Sequence, residues 1–285
     1  DGIADLLVGA LNADTATGTD SGKVRLVFGG TSLQSSLTAP LSLTYLGEGA
    51  YHHAGYAVAR AGDVNGDGRK DFLIGAPGAS PNGTGSGRVY LVFGNSGLDE
   101  LAYTSLDLAG LAACSAGTLC GIVFDGEAAG DLAGAALAYA GDINDDGHGD
   151  LLIGAPGASP EGRAGAGKVY LVYGPLGTPG TRSLSTVGVS TPGLVFYGES
   201  AGDAAGMSVS SWPDPTTSQI DDLLIGAPFA DATDEFGITV ADAGYLYAIH
   251  GGTANLVPNP SSPATIQLSR VASGLVDEVT GIVFI

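Results

Sequence analysis

The sequence predicts an all-β fold, a β-propeller of four-stranded antiparallel blades. Three observations carry that prediction. A fixed order of similar segments recurs four times along the 285 residues, the mark of a repeat architecture. Each segment is short, β-branched or aromatic, and bounded by Gly, Pro, Asn or Asp, which is strand chemistry and not helix chemistry. Many of the 48 glycines gather at the joints, as in Asn82 to Gly87 and Gly162 to Gly167, where hairpin turns need positive φ.

Taken in order, the second strand of each unit is the clearest: DGIADLLVGAL from Asp1, DGRKDFLIGAP from Asp67, DGHGDLLIGAP from Asp146 and SQIDDLLIGAP from Ser218. Their equivalent aspartates are Asp5, Asp71, Asp150 and Asp222. An alternating apolar run closed by Gly follows as the third strand: KVRLVFGG, GRVYLVFG, GKVYLVYG and GYLYAIHG. A fourth strand comes after a longer connection, as LTYLGE, GIVFDGE, LVFYGES and GIVFI. The first strand precedes each acidic loop, in AGYAVARAGD, AGAALAYAGD and AGMSVSSWPD, and its small residues (Ala57, Ala59, Ala135, Ala136, Ser208, Ser210) suit a crowded innermost position. The alignment predicts that Leu6, Phe72, Leu151 and Leu223 are equivalent, and likewise Val24, Val89, Val169 and Tyr245. One propeller region therefore covers 1–285, with blades at about 1–48, 49–126, 127–199 and 200–285. A β-sandwich is the competing fold, but sandwiches do not repeat so long a motif so faithfully.

These units resemble FG-GAP repeats, the repeats of the β-propeller at the head of integrin α chains. The Gly-Ala-Pro half stands intact at Gly75-Ala76-Pro77, Gly154-Ala155-Pro156 and Gly226-Ala227-Pro228, and becomes Gly9-Ala10-Leu11 in the first unit. The Phe-Gly half keeps its Gly at Gly55, Gly134 and Gly206 but replaces Phe by Ala, which points to a distant relative and not a true integrin. The resemblance implies a seven-bladed ring. With the first unit lacking an inner strand, the four units read as part of such a ring, and a closed four-bladed ring is the alternative.

Two loops carry the strongest chemical signal. Oxygen side chains recur at positions 1, 3, 5 and 9 of one loop as Asp63, Asn65, Asp67 and Asp71, and of the other as Asp142, Asn144, Asp146 and Asp150. Alternate residues of a tight loop aim inward, and Ca²⁺ takes six to eight hard oxygen ligands. The backbone carbonyls of Arg69 and His148, at position 7, would add one each. Good turn-forming residues alone would explain one such loop but not two in identical register. Asp1 and Asp5 match the second half of a similar loop. The loop Asp214 to Asp222 keeps only its end carboxylates and is expected to be metal-free. Ca²⁺ is thus the expected cofactor, in an arrangement resembling the hairpin calcium loops of the integrin propeller.

Thirty acidic residues against ten basic give a net charge of −20, which excludes nucleic acid and an anionic membrane surface as partners. No apolar run reaches the roughly 18 residues of a spanning helix. Cys114 and Cys120 share a short loop and read as a local disulfide of an oxidising compartment, hence an extracellular or cell-surface protein. His52-His53 reads as a solvated loop, since adjacent strand residues face opposite ways. Gly83-x-Gly85-x-Gly87 has no helix start behind it and reads as a hairpin, not a phosphate loop. Asn82-Gly83-Thr84 is a glycosylation sequon. No nucleophile, base and orienting group stand together. The resemblance therefore implies a non-enzymatic adhesion module for a protein or glycan ligand at the cell surface or matrix. It also implies that the ligand binds away from the calcium loops, and the connections at about 95–120 and 174–193 are the expected binding segments. The alternatives are a propeller attached to a polysaccharide- or phospholipid-degrading enzyme, and a surface-layer or filament subunit that self-associates through open blade edges.

Overall fold

A computed structural model describes residues 3–29, 42–95, 104–114, 119–212, 220–233, 238–252, 256, 265–271 and 281–284. Strands and short 3₁₀ turns make up its regular structure. Blade 1 holds Leu6–Ala10, Lys23–Val27 and Ser42–Leu46. In blade 2 the order from the inside is Val58–Gly62, Asp71–Ala76, Arg88–Val92 and Gly121–Asp125. Blade 3 repeats this with Ala136–Gly141, Asp150–Ala155, Lys168–Val172 and Gly193–Tyr197, and blade 4 with Ser208–Trp212, Asp222–Ala227, Tyr245–Ile249 and Gly281–Phe284. All these pairings are antiparallel. The propeller-type fold expected from the sequence is therefore the one observed.

The strand register supports one expected set of equivalences and corrects the other. Leu6, Phe72, Leu151 and Leu223 pair with Val27, Val92, Val172 and Ile249 at matching ladder positions. Val24, Val89 and Val169 face the Gly of the Gly-Ala-Pro turn, but in blade 4 the residue facing Gly226 is Leu246, not Tyr245. Tyr245 pairs with Ala227 and so matches Lys23, Arg88 and Lys168. The error is one residue, and in a strand one residue exchanges the two faces.

A second correction adds a strand to three of the sheets. The connection after the third strand of blade 2 forms Ser105–Asp107, which pairs in parallel with the outer strand of blade 1. Blade 3 lends Gly180–Ser183 to blade 2 in the same way, and Thr265–Gln267 from blade 4 does so on blade 3. Each short strand runs into a 3₁₀ turn whose leucines are buried: Leu108 and Leu111, Leu184, and Leu268. Burial of each leucine contributes roughly 1.5–3 kcal/mol, on the order of what so few backbone pairs supply. The expected Cys114–Cys120 disulfide closes the end of the first of these straps.

Between the blades lie three apolar clusters, one per junction. Val24, Leu26, Leu43 and Tyr45 of blade 1 meet Phe72, Ile74 and Tyr90 of blade 2, and analogous residues fill the other two junctions. Polar latches close their outer rims. Arg88 binds Glu48 across the first junction, Lys168 and Tyr170 both reach Glu127 at 2.7 Å across the second, and Tyr247 reaches Glu199 at 2.6 Å across the third. Among the described residues blades 1 and 4 share no strand pairing, and Leu6, Val8 and Leu246 on their outward faces are exposed.

At each junction the backbone is drawn in further than any side chain allows. A Cβ on Gly154 would lie 2.1 Å from the carbonyl oxygen of Gly206 in the next blade. Gly154→Ala is therefore expected to destabilise the protein by about 3 kcal/mol, a severe single-site loss. Gly110→Ala, where nothing lies within 4 Å of the added carbon, should stay within about 0.5 kcal/mol of wild type. Urea unfolding of the two variants measures the difference.

Candidate functional site

Both acidic loops join an innermost strand to the second strand of its blade, and both fold around their first aspartate. Asp63 accepts hydrogen bonds from the amides of Gly66, Asp67 and Gly68 at 2.8, 3.1 and 2.9 Å. Asn65 accepts from the Asp67 amide at 3.0 Å and donates to the Asp67 carboxylate, which in turn accepts from Arg69 N–H at 2.8 Å. The second loop repeats the set: Asp142 with the amides of Asp146 and Gly147, Asn144 with Asp146, and Asp146 with the amide of His148. Gly68 and Gly147 take φ of 85° and 87°, so the turn after position 5 falls where glycine stands.

Position 9 behaves differently from positions 1, 3 and 5. Asp71 is buried, with one carboxylate oxygen on the Val64 amide at 3.0 Å and the other on the Gly94 amide at 2.8 Å. Asp150 does the same with Ile143 and Gly174. Single bonds of this kind recur in the blades without a complete acidic loop, from Gly29 N–H to Asp5 at 2.8 Å and from Gly251 N–H to Asp222 at 3.1 Å. This aspartate is therefore first a clamp between the loop and the end of the third strand. The sequence identified its position but not this role.

The donor set is of the kind a hard divalent cation takes, oxygen throughout. Three carboxylates, one amide oxygen and a position-7 carbonyl stand on each nine-residue loop, and the acidic side chains of both loops are absent from the salt bridges found among the described residues. The carboxylates are turned to the loop's own amides, and no three acidic, His or Cys side chains converge on one point among the described residues. Asp63, Asn65, Asp67, Asp71 and the Arg69 carbonyl would hold such an ion in one loop, and Asp142, Asn144, Asp146, Asp150 and the His148 carbonyl in the other, Asp71 and Asp150 being also clamped to backbone amides. Asp1 lies outside the described residues, as do positions 213–219 of the fourth loop.

Electrostatics reflect the crowding. Burial pushes Asp71 up to about 6 and Asp150 to about 7; their backbone hydrogen bonds pull the other way, and the neighbouring loop aspartates add to the rise.

The connections expected to bind a partner lie elsewhere than the sequence suggested. Antiparallel order brings the connection after the third strand out on the same face as the acidic loops, where Asp71 and Asp150 hold its first residues and Leu176 N–H donates to Val64 O at 2.7 Å. From there it becomes the strap on the preceding blade. Of the expected segment 95–120, positions 96–103 and 115–118 lie outside the described residues.

The opposite face carries an apolar, aromatic groove. It has a volume of about 630 Å³ and is lined by Leu11, Tyr51, His53, Tyr56, Leu132 and Met207 among others. Tyr51 and Tyr56 are 60% and 49% exposed. Tyr51 and His53 hold φ of 62° and 56°, left-handed conformations that bulky residues seldom take. The equivalents of Tyr51 in the next two junctions are Gly130 and Gly202. His52-His53 is half-buried and not simply solvated, and the expected hairpin at Gly83 to Gly87 is observed.

Comparison with known proteins agrees with these repeats. The FG-GAP repeat family matches residues 54–92 and 133–172. Integrin alpha-PS2 of Drosophila melanogaster is 31% identical over 189 residues, 62% of this chain and 12% of that protein. Phosphatidylinositol-glycan-specific phospholipase D of Homo sapiens is 32% identical over 210 residues, 73% of this chain and 22% of that protein. Integrin alpha-6 of Gallus gallus is 29% identical over 187 residues, 65% of this chain and 15% of that protein. The chain thus spans a fifth or less, or little more, of each relative's length.

The raised carboxyls predict the pH response of metal-free protein. Asp71 and Asp150 bind protons more tightly folded than unfolded, so their contribution is fully present below about pH 4 and is lost as pH rises through 6 and 7. In chelator the Cγ resonances of Asp71 and Asp150 should titrate in that window, and the thermal midpoint should fall across it. Titration of both carboxyls below pH 5 would contradict the assignment.

Proposed function

Starting from a chain that carries FG-GAP repeats and resembles the integrin α propeller, we propose that it is a non-enzymatic, extracellular recognition module stiffened by Ca²⁺ on one face and binding a protein or glycan ligand on the other. The observation that carries this reading is the identical carboxylate arrangement of two acidic loops in consecutive blades, set opposite an exposed aromatic groove. A bound cation would offset the repulsion within each loop and, through Asp71 and Asp150, fix the end of the third strand and the strap that follows it. The ligand face would then be presented on a rigid base. The disulfide supports an oxidising environment.

A second reading has its own support in the similarity to phosphatidylinositol-glycan-specific phospholipase D. There the chain would be the propeller portion of a phospholipid-degrading enzyme. Incubation with phospholipid and polysaccharide panels separates the two, since any turnover by this chain removes the non-enzymatic reading.

Titration calorimetry should find two Ca²⁺ ions per chain, with Asp67→Ala and Asp146→Ala each removing one. Binding to the folded loops alone should also raise the thermal midpoint with Ca²⁺ concentration. A stoichiometry unchanged by Asp67→Ala would remove the calcium assignment.

A further inference from the structure

The two acidic loops share their donors and differ in the charge around them. At positions 1, 3, 5 and 9 each supplies three carboxylates and one amide oxygen, and the backbone follows the same path. Gly66 and Asp145, both at position 4, hold φ of 76° and 58°, and Gly68 and Gly147 at position 6 hold 85° and 87°. What changes is the filling of the remaining positions. Loop 63–71 carries Arg69 and Lys70, which leaves it a formal charge of −1. Loop 142–150 has His148 and Gly149 there and adds a fourth carboxylate, Asp145, so that with His148 neutral its formal charge is −4. Arg69, Lys70 and Asp145 are exposed, and none of them enters a salt bridge among the described residues. Glycine takes the left-handed backbone of position 4 more readily than Asp does, so the turn does not demand the Asp145 carboxylate.

We infer that the loops are unequal calcium sites and fill in order, 142–150 before 63–71. The inference rests on the calcium reading above and adds the ranking of its two sites. Affinity for a divalent cation follows the charge gathered about a site, and here the ligands themselves are equal. The three extra negative charges of loop 142–150 therefore decide. Within one tight loop they stand about a Debye length or less from the ion, so salt screens them only in part, and a difference of about tenfold in dissociation constant results. Neighbouring elements do not cancel it. Beside loop 142–150, Arg60 lies 5.5 Å from the centre of the Tyr139 ring and Asp221 lies against Gly141, a pair of opposite sign. Beside loop 63–71, a cavity of about 330 Å³ has Phe93, Asn95, Cys120 and Pro179 in its wall and, among the described residues, no charged side chain beyond the loop's own Asp67 and Arg69. The weaker loop is thus the one that responds as calcium rises above the level that fills the other. Asp71 passes that response to Gly94, at the start of the connection that becomes the Ser105–Asp107 strap on blade 1.

The test is a Ca²⁺ titration of the metal-free 285-residue chain, followed through the amide resonances of Gly68 for one loop and Gly147 for the other. Gly147 should reach its midpoint at about one tenth of the Ca²⁺ concentration that Gly68 requires in about 0.15 M salt, and the gap should narrow in about 1 M salt. Asp145→Gly, which gives the second loop the residue of the first, should weaken the Gly147 response about twofold and leave Gly68 unchanged. Arg69→Gln with Lys70→Gln should strengthen the Gly68 response about fivefold and leave Gly147 unchanged. All three side chains are exposed, so the variants fold as the wild type does. Coincident midpoints, or Gly68 responding first, would overturn the order while leaving calcium in both loops. Midpoints that differ but do not move in the charge variants would overturn its electrostatic cause. Silence of both glycines at millimolar Ca²⁺ would overturn the calcium reading and the order with it.

Discussion

The structure depends on one close approach, repeated at each junction: the Gly of the Gly-Ala-Pro turn against a carbonyl of the next blade. A Cβ on Gly9, Gly75 or Gly154 would lie 2.1 Å from the carbonyl oxygen of Gly55, Gly134 or Gly206 respectively. Those three partners are the glycines of the other half of the motif, held at φ of 88°, 89° and 86°. Each also donates its N–H to the turn glycine of its own blade, as Gly134 does to Gly154 at 3.0 Å. The glycine in each half of the repeat signature is thus explained by sterics and one hydrogen bond. Small innermost strands, flat interblade packing and the apolar clusters follow, because they require the blades to sit this close.

Around that contact the chain builds a rigid face from carboxylates. The position-9 aspartate ties loop to third strand, the third strand leads into a strap, and the strap pairs with the preceding blade. Leu176 N–H on Val64 O and Gly252 N–H on Ile143 O join each acidic loop to the blade after it as well. An acidic loop is therefore a three-way joint. Whatever orders it is felt in two blades, which is a more direct use for fixed charge than solubility.

Much of this was legible in the sequence, and the limits have physical causes. Strand identity, blade number and acidic-loop register come from local patterns of Gly, Asp and alternating apolar residues, and the structure keeps them. The straps did not show because Ser105–Asp107 and Gly180–Ser183 have neither alternation nor β-branched runs; part of their stability comes from leucines buried in the turns that follow. The blade-4 slip arose because Tyr245 and Leu246 are both acceptable strand residues, and only pairing with Ala227 and Gly226 tells them apart. The interblade latches were visible as Gly-Glu after the outer strands, at Gly47-Glu48, Gly126-Glu127 and Gly198-Glu199. Their meaning needed the neighbouring blade, since Glu127 and Lys168 are 41 residues apart. The placement of the third connections failed for a simpler reason. Strand direction fixes the face on which a connection emerges, and an odd-numbered strand must end on the acidic-loop side.

The face away from the carboxylates is where the repeats stop being alike. Backbone geometry is retained there: residues 51, 130 and 202 all take positive φ, as do 53, 132 and 204. Glycine occupies the first position in two junctions, and Asp131 and Asp203 cap the turn through the amides of Ala128 and Ser200. The first junction puts Tyr51 and His53 into the same left-handed backbone and His52 in place of the capping Asp. Such a substitution raises the local conformational cost without adding burial, because Tyr51 points largely to solvent. Packing within the blade therefore does not account for Tyr51 at that position, and its exposed ring belongs to the face proposed above to receive a ligand.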